Sequence, residues 1–246
     1  MNIRVFDDAK ALGKKAADQT AELIAQAIEA RGEARIVVST GESQFTTFEA
    51  LIALPIDWSK VVLFHLDEYV DLPVTHKASF QKYLQERFLD KVGELKEVHF
   101  VLGEGDLQQE IDKLTAAIHE APIDVALIGI GANAHIAFND PPADFDTRAA
   151  FHIVELDDRC KQQQVDEGWF PDIPAVPDRA ISMTVHQILQ SKVIISCVPY
   201  GVKAEAVKQV MDAEQPDPQV PASILKTHSD WHLYLDKESA AQIDAG

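Results

Sequence analysis

Four short, predominantly apolar runs, each set between segments of helical pattern, constrain this chain most. They are Ile36-Val37-Val38, Val61-Val62-Leu63-Phe64, Val98-His99-Phe100-Val101 and Val125-Ala126-Leu127-Ile128. A strand without polar alternation must be covered on both faces, which is the condition of a parallel sheet between helices. The spacing predicts helices over 7–31, near 44–53, from Ser79 to about Val92, and over 106–120, 158–165 and 201–213. Asp7 or Asp8 caps the first of these and Gly32 stops it. Further strands are predicted at 150–154, 180–184, 192–198 and 231–235, and the Pro-rich stretch 171–177 reads as a rigid surface loop. The expected class is α/β: one domain over residues 1–246, built on a mostly parallel sheet with helices on both faces.

Charge and cysteine usage narrow the partners. Twenty-two Lys and Arg against forty Asp and Glu leave a net charge of −18. Such a chain is repelled by a phosphate backbone and by an anionic membrane surface, so neither nucleic acid nor membrane is an expected partner. A small anionic substrate remains compatible, because a few backbone N–H groups and one Lys set the local sign of a pocket. Cys160 and Cys197 stand far apart and make no C-x-x-C pair or disulfide framework. The opening MNIRVFDDAK lacks the apolar core of a secretory signal, and no apolar run approaches the roughly 18 residues that span a bilayer. A reduced, cytoplasmic, soluble protein is expected.

Ligands of such sheets bind at the carboxyl ends of the strands, where strand order reverses. The segments just after each strand therefore carry the functional signal. Ser39-Thr40-Gly41-Glu42-Ser43 suits an anion, since a helix N-terminus offers free N–H groups and a partial positive charge. Glu42 places a negative charge beside that site, and an ordinary capped turn has the same pattern. Between Phe64 and Pro73, His65, Asp67 and Tyr69 alternate, and they share one face if the strand continues. Asp67 can then serve as a general base. His65 and Asp67 can instead ligate a metal, or the segment is a solvated edge with an Asp cap. No third ligand has diagnostic spacing, so no metal is predicted.

Gly129-x-Gly131-x-x-Ala134 formally matches a dinucleotide fingerprint. Pro141-Pro142 limits any helix after it to about two turns, and the match lies mid-chain, so no dinucleotide cofactor is predicted. What remains is a Gly-rich turn presenting Asn133, His135, Asn139 and Asp140. Lys203, after strand 192–198 and at the start of a helix, can meet a phosphate or stand solvated in a first turn.

Together these segments resemble the glucosamine-6-phosphate deaminase (isomerase) family. The matches are LDEYVDLP at 66–73 and GANAHIAFNDP at 131–141, against family patterns close to MDEYVGLP and GxDGHIAFNEP. Val220-Pro221-Ala222-Ser223 also fits, so the resemblance covers nearly the whole chain. Related 6-phosphogluconolactonases typically carry DER and GHxAS, and Tyr69 with Phe138-Asn139 is closer to the deaminases. The resemblance implies a Rossmann-like sheet and conversion of a hexosamine 6-phosphate to a ketohexose 6-phosphate and ammonia, without metal or organic cofactor. It implies that Asp67 moves a proton between C2 and C1, and that His135, with Asn133 and Asp140 beside it, assists opening of the sugar ring. Thr40, Gly41, Ser43 and Lys203 are implied to hold the phosphate, with Glu68, Gly131, Ala132 and Arg159 completing the substrate site. A homo-oligomer is implied only because relatives form them.

Departures from the pattern are specific. Asn133 stands where the family has Asp, Ala134 where it has Gly, and Asp140 where it has Glu. An amide can orient an imidazole but cannot stabilise its cation as a carboxylate does, and Ala134 is strained if the turn needs a positive φ. The phosphate loop reads TGESQ rather than TGGTP, and Gln164 occupies the place of the family's phosphate-binding Arg, with Arg159 nearby. Two other readings follow from these departures: a 6-phosphogluconolactonase-type hydrolase, and a sugar-phosphate-binding protein without turnover. Galactosamine 6-phosphate is the alternative substrate.

Overall fold

The structure is a computed structural model that describes residues 1–243. In chain order the elements are β1 (Asn2–Phe6), α1 (Ala9–Arg31), β2 (Ala34–Val38), α2 (Phe45–Ile52), β3 (Val61–His65), β4 (Asp67–Tyr69), α3 (Phe80–Arg87), β5 (Glu97–His99), α4 (Leu107–His119), β6 (Val125–Leu127), β7 (Phe151–Glu155), α5 (Asp158–Asp166), β8 (Arg179–Met183), α6 (Val185–Leu189), β9 (Val193–Val198), α7 (Ala204–Asp212) and β10 (Trp231–Asp236). Asp8 caps α1 by accepting from Ala11 N, Ser79 caps α3 by accepting from Lys82 N, and Gly32 closes α1 in the left-handed region. A 3-10 turn at Gly201–Lys203 leads into α7.

Seven strands form one parallel sheet in the order β1-β10-β9-β6-β2-β3-β5. Alternate residues of one strand feed opposite faces, as the pleat requires. Ile36 and Val38 pack with Leu12, Ile24, Phe48 and Leu84 from α1, α2 and α3. Val37, between them, packs into the other layer with Leu114 of α4, Ile188 of α6 and Val207 of α7. Two apolar layers on either side of the sheet explain why the central strands carry no polar alternation. No helix among the described residues is long and apolar enough to cross a membrane.

Two expectations are corrected, and one strand was not expected. The strands predicted at 150–154 and 180–184 do not join the parallel sheet. As β7 and β8 they pair antiparallel with β4 in a second sheet of order β4-β8-β7. The strand through His65 does not continue: the chain leaves the parallel sheet at Leu66, whose carbonyl accepts from Met183 N (2.7 Å), and Asp67–Tyr69 belongs to the second sheet. Finally, β1 has no counterpart in the sequence reading. It is an edge strand with little burial, so the apolar signal that marks the central strands is missing.

Gly103 sets how closely the two parts approach. A Cβ there would lie 1.9 Å from the Tyr69 carbonyl oxygen, and Asp71 N donates to Gly103 O (2.9 Å). The backbone after β5 thus passes directly behind β4 and holds it over the ends of the parallel strands.

Candidate active site

The loops after β2, β6 and β9 are neighbours, because these strands are adjacent in the sheet. From β2 the chain moves to β3 on one side, and from β6 it moves toward β9 on the other, so the order reverses there. A cleft of about 670 Å³ opens at this point. It is lined by residues 39–43 after β2, 129–133 and His135 after β6, and 200, 202 and 203 after β9, with Asp67 from β4 and a wall from α5.

The first loop presents free backbone donors. No described group accepts from the N–H of Thr40, Gly41, Glu42 or Ser43, whereas Ser39 N is bonded to Leu127 O and Gln44 N to Gly41 O. Gly41 takes a φ of 96°. Its carbonyl is held by the Tyr83 hydroxyl of α3 (2.8 Å), and a trans peptide then directs the Glu42 N–H the opposite way. Gln44 Nε2 donates to Ser43 Oγ (3.0 Å), which leaves the serine hydrogen free. Across the cleft Lys203 is half-buried and has no hydrogen-bond or ion-pair partner among the described residues. Burial lowers its pKa, against the opposing pull of Glu167 and Glu42. Four unpartnered N–H groups and an ammonium that line one cleft are the kind of group that can hold an anion.

Asp67 occupies the cleft at the start of β4. It is 7% exposed, and its carboxylate takes no hydrogen bond from any described residue. Burial pushes its pKa well above the ordinary carboxylate range, and the charges of Glu68 and Asp140 push it further. Such a group holds a proton at pH values where an ordinary carboxylate is ionised, which suits a base that must accept and return one.

His135 is held by two side chains. Asn133 Oδ1 accepts from His135 Nδ1 (2.6 Å) and from His135 N (3.1 Å), while Asn133 Nδ2 donates to Asp140 Oδ1 (2.8 Å). These contacts fix the amide orientation, since only the nitrogen can donate. The imidazole proton therefore sits on Nδ1, and Nε2 is left for the cleft. Asp140 Oδ1 also lies 3.2 Å from His135 Nδ1. Burial raises Asp140, but the charge and hydrogen bond of His135, with the Asn133 amide, outweigh it and hold the carboxyl at about 2. One carboxylate, Asp140, thus stands next to the ring, at the position where the family pattern has Glu, and Asn133 adds a neutral amide to it.

The backbone around this cluster is unusual. Ala134 (φ 64°), Ala137 (φ 52°) and Tyr200 (φ 76°) are left-handed, and all lie in the loops that build the cleft. Such strain concentrates where geometry serves function. At Ala134 the strain costs about 1 kcal/mol. Its methyl is fully buried in the core, which returns about 0.8 kcal/mol. Ala134→Gly is therefore expected to shift the melting temperature by no more than a few degrees, as thermal unfolding will show.

Of the residues singled out from the sequence, Thr40, Gly41, Ser43, Asp67, Gly131, Ala132, Asn133, His135, Arg159 and Lys203 line this one cleft, and Asp140 sits directly behind His135. Two others do not belong to it. Glu68 points away from the cleft: its carboxylate accepts from Tyr69 N (3.0 Å), Ser79 Oγ (2.8 Å) and Gln81 N (2.9 Å), fastening β4 to the start of α3. His65 is fully buried at the end of β3, and its Nε2 accepts from Val101 N (2.8 Å). Burial lowers its pKa to about 3, so it is a neutral structural ring with no lone pair free for a metal. No group of three or more His, Cys, Asp or Glu among the described residues is placed to hold a metal ion. The Gly-rich turn after β6 leads into no helix. The sequence reading missed Tyr83, Tyr200, Phe80, Phe138 and Trp169 in or beside the cleft. Tyr69, which alternation would put beside Asp67, is buried, and its hydroxyl donates to Gln164 Oε1 (2.7 Å).

Comparison with known proteins accords with this geometry. A family model described as glucosamine-6-phosphate isomerases/6-phosphogluconolactonase matches residues 7–233. A glucosamine-6-phosphate deaminase of Bacillus pumilus is 32% identical, over 98% of this chain and 99% of the relative. One of Alkaliphilus oremlandii is 32% identical over 99% and 100%. Among solved structures, one described as a monomeric glucosamine-6-phosphate deaminase superposes with a TM-score of 0.90 at 28% identity, covering 99% of this chain and 100% of the other. A 6-phosphogluconolactonase from Thermotoga maritima shares the fold, with a TM-score of 0.78 at 14% identity, over 96% and 99%. By its matched length, by these relatives and by the structural agreement, the chain belongs to the glucosamine-6-phosphate isomerase/6-phosphogluconolactonase family.

Proposed function

We propose that this protein is a deaminating isomerase that converts glucosamine 6-phosphate and water to fructose 6-phosphate and ammonia. The observation that carries this reading is the convergence on one cleft of a raised-pKa carboxylate (Asp67), an oriented imidazole (His135) and an anion loop facing Lys203. Interconversion of aldose and ketose needs one carboxylate that reaches two adjacent carbons. Asp67, which has no protein partner, takes the proton from C2 of the open-chain sugar and returns it to C1. The electron pair left at C2 forms a C1=C2 double bond as O1 takes up a proton. When C1 is then protonated the nitrogen lone pair forms the C=N bond of a ketimine, the nitrogen giving up the proton that balances O1, and water hydrolyses the ketimine with release of ammonia. His135 accepts a proton at Nε2 as the ring opens, while Asn133 and Asp140 keep its other nitrogen protonated. Phosphate bound by the N–H groups of 40–43 and Lys203 supplies binding energy remote from the reacting carbons.

The lactonase reading receives less support. The curated relatives at about a third identity are named as deaminases, whereas the lactonase match is at 14% identity and bears on the fold alone. The same proposal takes residues 1–246 as one domain, since β1 and β10, from opposite ends of the chain, pair in one sheet. Two buried free thiols and a phosphorylated substrate suit a reduced, cytoplasmic location. The test is ammonia release from glucosamine 6-phosphate and galactosamine 6-phosphate, side by side. Release from the first is expected. Release from the second alone would change the epimer, and release from neither would overturn the proposal.

A further inference from the structure

Glu42 is foreign to an anion site, yet it lines this one. It stands between Gly41 and Ser43 in the loop whose N–H groups face the cleft, and its carboxylate has no hydrogen bond or ion pair among the described residues. The groups whose charge state it influences are Tyr83 from α3 and Tyr200 and Lys203 from the turn after β9, and Arg159, Asp166 and Glu167 from α5 and its end line the same cleft. Gln164 also lines the cleft, but its Oε1 is tied to the Tyr69 hydroxyl, and the side chain offers only a neutral amide. The acids that line the cleft are Asp67, which is buried, and Glu42, Asp166 and Glu167, which are exposed at its edge; the cations are Arg159, exposed, and Lys203, half-buried. A phosphate dianion would add two negative charges with no new positive one.

A proton is the simplest way to relieve that repulsion. We infer that the cleft binds its sugar phosphate as the monoanion, with the P–OH group donating a hydrogen bond to the Glu42 carboxylate. Glu42 then selects for a phosphate ester that arrives with its last proton, and the loop N–H groups and Lys203 neutralise the single remaining charge. This inference rests on the reading of residues 40–43 and Lys203 as a phosphate site.

The test is a binding measurement, so it does not depend on turnover. The Asp67→Asn protein is titrated with glucosamine 6-phosphate by calorimetry at pH 8 in two buffers of different ionisation heat. The second pKa of a phosphate ester is about 6, so the free ligand is a dianion there, and uptake of about one proton per ligand bound is expected. The Kd is expected to rise about tenfold per pH unit above 7. Adding Glu42→Gln should abolish the uptake and tighten binding at pH 8 by about tenfold or more. Lys203, retained in both proteins, cannot produce that difference. Binding without proton uptake, or uptake that survives Glu42→Gln, overturns the inference and leaves the proposed function standing. Ammonia release by the wild type, combined with no binding to Asp67→Asn, would overturn it as well. No ammonia and no binding would overturn both.

Discussion

Replacing Asp67 by Asn is expected to abolish turnover and, at the same time, to make the protein more stable. The carboxylate is buried, unpartnered and raised in pKa, and it lines the same cleft as His135. Asn keeps its shape but cannot accept a proton, so kcat should fall by about 10³-fold or more while ligand binding survives. Stability should move the opposite way. A group whose folded pKa is raised contributes its full stability below the unfolded value and loses it as pH rises through the folded value. Each unit of elevation is worth about 1.4 kcal/mol at pH values above it. The neutral amide removes that penalty, so at pH 8 a rise of several degrees in melting temperature is expected for a chain of this size. Wild-type turnover in the variant would remove Asp67 from the mechanism. A lower melting temperature would mean that its charge is satisfied in the folded state.

The same elevation fixes the acid limb of the pH–rate profile. The base must be ionised in free enzyme, so kcat/KM should fall with decreasing pH through a midpoint well above that of an ordinary Asp. A limb near pH 4 would show that substrate meets an ordinary, solvated carboxylate.

The central strands could be read from sequence because burial on both faces leaves an unmistakable mark: runs such as Val61-Val62-Leu63-Phe64 without polar alternation. The helix caps at Asp8 and Ser79 were legible for a local reason as well, one side chain bonding an N–H three residues on. Which sheet a strand joins is a different kind of fact. Residues 151–155 and 179–183 look like any other short strand, and only their long-range pairing places them antiparallel against β4. His65 shows the consequence. Alternation groups it with Asp67, but the change of sheet at Leu66 buries the ring beneath Val101 N and leaves Asp67 alone in the cleft. Glu68 was misread likewise, because a carboxylate next to a catalytic one gives no sign that it fastens a helix start eleven residues on. At Asn133 the geometry shows what the amide still does: it accepts from the imidazole and donates to Asp140, whose carboxylate is the one charge beside the ring.

Gly131→Ala should cost nearly as much activity as loss of His135 itself, though it removes no functional group. The need for glycine there is one of space, since its φ is not among the left-handed ones. A Cβ at 131 would lie 2.2 Å from His135 Cε1, 2.3 Å from Nε2 and 2.4 Å from Nδ1, so methyl and ring cannot both occupy their places. The ring is the part that can swing, whereas the backbone is held by the Gly131 N to His135 O bond (2.9 Å) and the Ala134 N to Gly131 O bond (3.0 Å). Displacing the ring breaks the 2.6 Å bond to Asn133 and moves Nε2 away from the substrate. Misplacing a general acid–base by an ångström or more costs about 10²-fold in kcat/KM. The overpacking itself should take about 1–3 kcal/mol from stability, leaving a folded protein. Because both substitutions act through one group, their effects should not add. The double variant Gly131→Ala, His135→Gln is expected to be no slower than His135→Gln alone. Additive losses would mean that Gly131 serves the substrate directly, through its own backbone, and not by making room for the imidazole above it.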